Sequence, residues 1–415
     1  MTNKDPYLAL RIPEFRFFII ARFCIIVALQ IQGVVVGWQM YEITNDPFAL
    51  GLIGLAEAIP AIGVSLYAGH IADTVSRKKI ISLCVGLLTI CSASLLFINQ
   101  INLISILGND AIKWSLYGAI FMSGIARGFM GPALFAFMPQ LLNNKTEYAN
   151  AVSWNSTTWQ TASVAGPALG GLIYVFGGLN ASYSADLGLM FLALIIILFS
   201  ISSRELPTQI NKEILTIKES ITVGIKFIFE NKIILSAISL DLFAVLFGGA
   251  VALLPVFCKD ILHEGAWALG LLRAAPAVGS VIMAMGIAYI PIHKKAGNKL
   301  LWAVAGFGVC MIGFAVSEIF WISFALLLLS GACDSISVIV RSTLLQTRTP
   351  EHMKGRVSAV NNIFIGSSNE IGSFESGLAA KLLGTVNSEI FGGCMTLIVA
   401  AITAYKAKEL RELEL

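Results

Sequence analysis

The sequence predicts an all-α integral membrane protein with twelve transmembrane helices in two pseudo-symmetric halves of six. The composition, the recurrence of long apolar runs and a weak internal repeat lead to this prediction. Of the 415 residues, 57% are hydrophobic and 13% are charged, and the mean hydropathy is +0.81. A soluble protein cannot bury so much apolar surface, because its exterior must also carry polar groups. The sequence therefore excludes an ordinary soluble domain.

The apolar runs recur along the whole chain and are long enough to cross a hydrocarbon core of about 30 Å. Backbone groups in lipid must hydrogen-bond internally, so each run is predicted to be a helix. The twelve predicted spans cover residues 17–41, 48–70, 80–98, 114–140, 152–176, 182–201, 233–257, 266–290, 300–317, 319–341, 357–382 and 388–405.

Basic residues are concentrated on one side of this predicted topology. Of the 28 lysines and arginines, 21 fall in the N-terminal tail, the even-numbered loops and the C-terminal tail. The positive-inside rule then places both termini in the cytoplasm. The polar segment 1–14 is followed by a span too long for a signal peptide, so we expect that span to be retained.

A weak repeat relates the two halves. Residues 55–63 align with 271–279 at an offset of 216, which also places Gly33 on Gly249. An offset of 206 places Asn155 on Asn361 and Gly166 on Gly372. Pairs occurring in this order predict two halves of the same topology, 1–202 and 231–415.

The segment 203–230 is predicted to link the halves. It begins polar and charged, and from about residue 214 it reads as an amphipathic helix lying on the cytoplasmic membrane surface. A plain extension of the seventh span is the alternative interpretation.

Ionisable residues are unevenly distributed among the spans. Spans 3, 6, 9 and 12 carry charge only near their ends, at Asp186, Lys299 and Glu389. Span 5 is uncharged but rich in hydrogen-bonding side chains, including Asn155 and Gln160. The other spans carry Arg22, Glu57, Arg127, Asp241, Arg273, Asp334, Glu370 and Glu375. Buried charge is costly in a membrane and usually marks a cavity or pathway.

The repeat pairs some of these charges with opposite signs. Glu57 is equivalent to Arg273, and Arg127 to Asp334. Such residues could pair across the two halves, or each could pair within its own half.

The segment 69–79 between spans 2 and 3 reads G-x-x-x-D-x-x-x-R-K-K, with Gly69, Asp73, Arg77 and Lys78 at its key positions. It resembles the loop between helices 2 and 3 of major facilitator superfamily transporters. Gly69 would allow close helix approach, Asp73 would face a helix N-terminus, and the basic cluster would bind anionic headgroups. The second half has Tyr289 where the first has Asp73, so a latch built on this motif would be one-sided.

Two further strings carry the same resemblance. Residues 127–131 resemble the family's R-x-x-x-G signature, which implies an arginine near the cavity that takes part in proton-coupled movement. Residues 166–171 resemble the G-P-x-x-G-G signature of antiporters, through Gly166, Pro167, Gly170 and Gly171. Ordinary small-residue packing is the alternative for the second string.

Candidate proton carriers follow from buried carboxylates, since burial favours the neutral acid. Asp241 ranks first and Glu57 second, followed by Glu370 and Glu375. Pairing of Asp241 with Arg22 or Arg273 would instead favour its charged form. The cavity charge partners are then Arg22, Arg127, Arg273 and Asp334, and the candidates for the substrate cavity are Trp38, Gln30, Asn155 and Gln160.

The strings at 253–257, 270–279, 355–362 and 366–370 resemble the enterobactin-exporter-like and macrolide-efflux-like branch of the superfamily. The resemblance implies a proton-driven exporter of siderophores, drugs or similar amphipathic molecules in the bacterial inner membrane. A uniporter or importer of the same fold, such as a lysophospholipid transporter, is the alternative. A membrane receptor or scaffold without transport activity is a remote one.

The sequence lacks nucleotide-binding, hydrolase and metal-ligand signatures, so we predict no enzyme activity and no cofactor, with the proton gradient as energy source. Seven scattered cysteines without a C-x-x-C predict neither a disulfide framework nor a metal site. The expected partners are a small-molecule substrate, protons and lipid, not nucleic acid, and we expect a monomer.

Overall fold

A computed structural model describes residues 6–100, 103–142, 144, 147–202, 217–289, 295–350 and 353–414. Within these ranges the chain is helical, with short turns between helices and no strand. The helices are α1 Pro13–Thr44, α2 Pro47–Thr74, α3 Arg77–Gln100, α4 Leu103–Phe137, α5 Tyr148–Ser200, α6 Ile217–Glu230, α7 Lys232–Phe247, α8 Leu254–Val256, α9 Ala266–Tyr289, α10 Ala296–Val316, α11 Phe320–Arg348, α12 Lys354–Leu383, α13 Thr385–Lys406 and α14 Lys408–Arg411.

These helices account for the twelve predicted spans. Ten helical stretches of the described chain are long and apolar enough to cross a membrane. One of them, α5, has 53 residues and departs from helical geometry at Gly178, so it supplies the fifth and sixth spans. The more polar α12 supplies the eleventh. The all-α, twelve-span prediction is therefore confirmed.

Contacts divide the chain into two units. The first comprises Met1–Thr44 and Ala56–Lys212, and the second comprises Asn45–Leu55 and Glu213–Leu415. Residues 45–55 group with the C-terminal unit because Gly51 and Gly54 pack closely on α12. A Cβ added to Gly51 would lie 3.0 Å from the Cα of Gly377. The boundary thus differs here from the one expected at residue 202.

In the N-terminal unit, α1 packs along α5 and α3 packs on both α4 and α5. Its apolar core includes Phe15, Phe18 and Phe137, all nearly inaccessible to solvent. In the C-terminal unit, α9 and α10 pack on α11, while α12 and α13 pack on α7.

The internal repeat extends to packing within each unit. Gly166 of α5 lies against Gln30 of α1, and its counterpart Gly372 of α12 lies against Leu246 of α7. Small side chains at these positions allow close helix contact. The equivalent Gly178 and Gly384 both adopt positive φ, 65° and 87° respectively.

The same correspondence holds for α2 with α4 and for α9 with α11. Gly124 faces Pro60 in the first pair, and Gly331 faces Pro276 in the second. The two halves are therefore built on one packing plan.

One segment differs from the sequence-based expectation, and a second, α6, agrees with the first of the two interpretations given for the linker rather than with a plain extension of the seventh span. The predicted seventh span, 233–257, is interrupted: α7 ends at Phe247, and a 3₁₀ turn, the short α8 and a π-helical turn follow. The segment α6 is a helix separate from α7, because Asn231 between them leaves helical geometry and its side chain accepts a hydrogen bond from the Ile234 amide at 3.2 Å. This is the N-cap arrangement that starts a new helix.

Candidate functional site

A buried ion pair lies in the C-terminal unit between α7 and α11. The Arg341 guanidinium contacts the Asp241 carboxylate, and the two side chains are only 5% and 7% exposed. The Ser337 hydroxyl donates a hydrogen bond to Asp241 Oδ1 at 3.1 Å. The carboxylate therefore has both a cationic partner and a neutral donor, as a buried charge requires.

Asp334 lines the same cavity as Asp241. The cavity lies between α7, α10 and α11, and its wall includes Asp241, Asp334, Ser337 and Phe307. Two acidic side chains thus face one space with one arginine beside them. Asp334, Ser337 and Arg341 follow each other at intervals of three and four residues, so they share one face of α11.

Sequence reasoning placed Asp241 among the candidates but missed Arg341 as its partner. The alternative to a proton carrier was pairing with Arg22 or Arg273, whereas the structure brings Arg341 to the carboxylate. The available signal in the sequence was that Asp334 and Arg341 are two helical turns apart, which places both charges on one face of the same helix. Arg22 instead lies among apolar residues of the N-terminal unit, including Phe18 and Phe137, with its Nε buried and without a hydrogen-bond partner.

A second ion pair lies in the N-terminal unit. Arg127 of α4 contacts Glu57 of α2, with side chains 40% and 17% exposed. The helices approach closely here because Gly124 and Gly128 of α4 face the α2 backbone. Of the two arrangements left open by the sequence, the structure contains the pair within one half. Arg273 and Asp334, the equivalent residues of the other unit, lie on α9 and α11.

The remaining candidate acids lie on α12, in the C-terminal unit. The Glu370 side chain lies near Gly54, with its Oε2 3.5 Å from where a Cβ would stand. Glu375 is partly buried, and the neighbouring Glu389 of α13 is 2% exposed. Asp186 and Glu389, the acids near the ends of spans 6 and 12, are both buried, at 0% and 2% exposed. Both carboxylates are buried because the helical segments begin well before them, after Gly384 and Gly178.

In the loop motif, the surroundings of Gly69 and the side chain of Asp73 are not among the features that the structure describes. The other two members are described: Arg77 Nη1 donates to the Ala136 carbonyl at 3.1 Å, and Lys78 Nζ donates to the Leu198 carbonyl at 2.9 Å. These carbonyls lie at the C-terminal ends of α4 and α5, where cations interact favourably with the helix dipole. Both side chains therefore hold helix ends together, a role that the headgroup interpretation did not include.

The helix 5 motif forms the packing surface between α5 and α1. Gly166, Pro167, Gly170 and Gly171 are buried, and a Cβ on Gly170 would lie 3.1 Å from the Cα of Ile31. This is the small-residue packing that was the alternative interpretation of the motif.

The four candidates for the substrate cavity have different surroundings. Gln30 packs against Gly166. Trp38 is 7% exposed and donates its indole N–H to Glu42 Oε1 at 2.7 Å. Asn155 has a buried side-chain oxygen without a partner, and Gln160 is partly buried. Within the described residues, no group of three His, Cys, Asp or Glu side chains could hold a metal ion.

Comparison with known families decides the assignment. Residues 4–415 match the MFS_3 family, described as transmembrane secretion effectors. The chain belongs to this family. It is therefore a multi-pass membrane transporter of the major facilitator superfamily and not an enzyme.

Similar proteins agree with the family assignment. The chain is 26% identical over 404 residues to the enterobactin exporter EntS of Citrobacter koseri and to that of Escherichia coli, covering 96% of this chain and 93% of each relative. The branch named from sequence is confirmed by these matches.

Solved structures show the same fold. A bacterial homologue of the iron transporter ferroportin in an inward-facing state has a TM-score of 0.72 at 16% identity, covering 97% of this chain and 99% of that one. A POT family transporter in complex with a thioalcohol-conjugated peptide has a TM-score of 0.74 at 12% identity, covering 95% and 96%.

Proposed function

We propose that this MFS_3 member is a proton-coupled secondary exporter of siderophores, drugs or similar amphipathic molecules across the bacterial inner membrane. The observation that carries the coupling part of the proposal is the buried pair of Asp241 and Arg341, with Asp334 in the same cavity. The export part is supported by full-length similarity to enterobactin exporters.

Proton binding to Asp241 would compete with its ion pair. The neutral acid no longer attracts Arg341, and a cation left without a partner in a low-dielectric site is costly. Arg341 would then need another anion, which Asp334 on the same face of α11 or an anionic group of a substrate could supply. Protonation and substrate binding therefore act on the same arginine.

This competition can bias an alternating-access cycle. A ligand shifts a conformational equilibrium only by its difference in affinity between the two states. A proton that breaks the pair in one state and leaves it intact in the other supplies that difference. The protein would expose its site to the cytoplasm and then to the periplasm, as expected for a transporter built from two repeats.

The proposed orientation places both termini in the cytoplasm. It is supported by the concentration of basic residues on that side, including Arg77 and Lys78. Asn45 and Gly178 would then lie near the periplasmic face.

Enterobactin transport in proteoliposomes tests the proposal. With the purified protein in liposomes, an imposed pH gradient should drive accumulation of enterobactin against its gradient. Asp241→Asn should abolish the response to the pH gradient. Asp110→Asn, at an exposed acid that pairs with Lys113 at 2.7 Å, is the matched control. Transport that ignores the pH gradient in the unmodified protein would refute proton coupling.

The same vesicles distinguish the alternatives. A uniporter would equilibrate substrate without a gradient response, and an importer would move it in the opposite direction. A receptor or scaffold would transport neither enterobactin nor a panel of drugs, and neutralising Asp241 or Arg127 would leave its function unchanged.

A further inference from the structure

We infer that the N-terminal unit contains a proton-binding site of its own at Asp186, reached from the periplasmic end through a column of polar side chains between α1 and α5. The site lies in a different unit from Asp241. Proton binding at Asp186 is an equilibrium property and does not depend on the proposed export. Only a role of this site in coupling rests on the proposed function.

Asp186 is an acid without a cation. Its side chain is completely buried, Oδ2 accepts one hydrogen bond from Gln32 Nε2 at 3.5 Å, and Oδ1 has no partner. The contrast with Asp241 is direct, because that carboxylate pairs with an arginine.

The groups that face Asp186 are neutral at pH 7. From α1 the neighbour is the amide Gln32, and from α3 the neighbours are Ser92 and the thiol Cys91. The preceding turn of α5 contributes the phenol Tyr183. Thiols and phenols ordinarily keep their protons at neutral pH, so no described neighbour supplies a compensating positive charge.

Protonation of Asp186 would remove this uncompensated buried charge. Burying an isolated carboxylate in a membrane protein is far more costly than burying the neutral acid. A proton on Oδ1 also turns an unpartnered acceptor into a donor. The Ser92 hydroxyl faces the Asp186 carboxylate and has no other hydrogen-bond partner, so it can accept that hydrogen bond.

The column begins at the surface with Glu42. This carboxylate is exposed, and it accepts hydrogen bonds from Trp38 Nε1 at 2.7 Å and from the Tyr174 hydroxyl at 3.1 Å. An acid held at a surface by two donors is a suitable entry point for protons.

The next group inward is the Tyr183 hydroxyl, which donates to Gln39 Oε1 at 2.5 Å. Tyr183 and Gln39 are 1% and 3% exposed, and Tyr183 lies one helical turn before Asp186. Along α1, Gln32 and Gln39 are separated by two turns and therefore share a face. The hydrogen-bonded groups thus follow one another from the surface toward Asp186, with Tyr183 near both Tyr174 and Asp186, and a hydroxyl can both donate and accept a proton.

In the proposed orientation this line opens to the periplasm. A proton-motive force supplies protons from that side, so Asp186 would load from the periplasm. The proton occupancy of Asp186 would then depend on the periplasmic pH and would affect the packing of α1 against α5.

Infrared spectroscopy of the purified protein in lipid nanodiscs tests the site without any transport assay. At pH 7 the unmodified protein should show the C=O stretch of a protonated, buried carboxylic acid, and ¹³C labelling of aspartate should shift part of it. Asp186→Asn should remove the aspartate component, and Asp241→Asn should leave it in place. Because the asparagine amide is close in shape to the neutral acid, Asp186→Asn should fold and be at least as stable as the parent.

Three results would overturn the inference. The first is an aspartate band unchanged by Asp186→Asn, and the second is its absence from the labelled, unmodified protein at pH 7. The third is loss of the band when sodium chloride replaces potassium chloride, which would make Asp186 a sodium site instead.

The column is tested by the rate of exchange. After transfer from H₂O to D₂O, the shift of the Asp186 band should be slowed several-fold by Tyr183→Phe, while the band itself remains. Tyr67→Phe, which alters an exposed tyrosine, is the matched control and should leave the rate unchanged. An unaltered exchange rate in Tyr183→Phe would refute the proposed route.

Discussion

Arg341 of α11 and Asp241 of α7 form an ion pair from which solvent is almost completely excluded. Because the pair is buried, its position as well as its charge determines how much a mutation should destabilise the protein. Removing one member of a buried pair leaves the other uncompensated, which typically costs about 3–5 kcal/mol.

Asp241→Asn and Arg341→Gln should therefore each lower the free energy of unfolding by about that amount. The double variant should lose clearly less than the sum, since it removes both charges together. SDS titration of the purified protein measures all three. Strictly additive losses would show that the two groups are not coupled.

The pair of Glu57 and Arg127 should be weaker, because the Arg127 side chain is 40% exposed. Solvent screening limits such pairs to about 1 kcal/mol or less. A double-mutant cycle with Glu57→Gln and Arg127→Gln should give a coupling energy below that of Asp241 with Arg341. The charge-reversed double variant should recover stability relative to either single reversal. A coupling energy as large as that of the buried pair would contradict this ranking.

The contact of Gly166 with Gln30 predicts a steric effect. A Cβ on Gly166 would stand 2.5 Å from the Gln30 Cβ, so Gly166→Leu must push α5 away from α1. Overpacking of this kind costs about 1–3 kcal/mol. Gly188→Leu on the same helix has no atom within 4 Å of the added Cβ and serves as the control. Equal unfolding free energies for the two variants would show that the α1–α5 contact is not tight.

The turn inside α5 depends on glycine. Gly178 has φ 65° and ψ −160°, a region that is essentially restricted to glycine. Gly178→Ala should cost about 1–3 kcal/mol, and Gly384→Ala, with φ 87°, should behave in the same way. Gly188→Ala should be neutral or stabilising, because alanine is favoured over glycine inside a helix. An unchanged unfolding free energy in both turn variants would be inconsistent with the backbone geometry.

Much of the fold was predictable because it depends on local patterns. Apolar runs of sufficient length must be helices in lipid. The correspondence of Pro60 with Pro276 and of Gly166 with Gly372 showed how the two halves align. The interruption after Phe247 was missed because residues 248–257 are as apolar as a continuous span, although Gly248, Gly249 and Pro255 there disfavour an unbroken helix. Likewise, nothing local indicated that residues 45–55 would pack with α12.

The candidate site was only partly predictable. The sequence singled out Asp241, Glu57 and Arg127, since a charge within an apolar run is visible without a structure. It did not identify Arg341 as a partner, because 100 positions of chain separate that residue from Asp241. It placed Asp186 only as a charge near a span end. Its burial was not predictable, because that depends on how α1 and α3 pack over it.

By itself, the sequence determined the membrane class, the number of spans, the two-part repeat and the family resemblance. These properties follow from composition, from periodicity and from short motifs, which are local along the chain. Only the tertiary structure decided which charges meet and which remain alone. Asp241 meets an arginine and Asp186 meets only neutral groups. That difference arises from contacts between helices distant in sequence, and it decides whether a proton must compete with an arginine for the carboxylate.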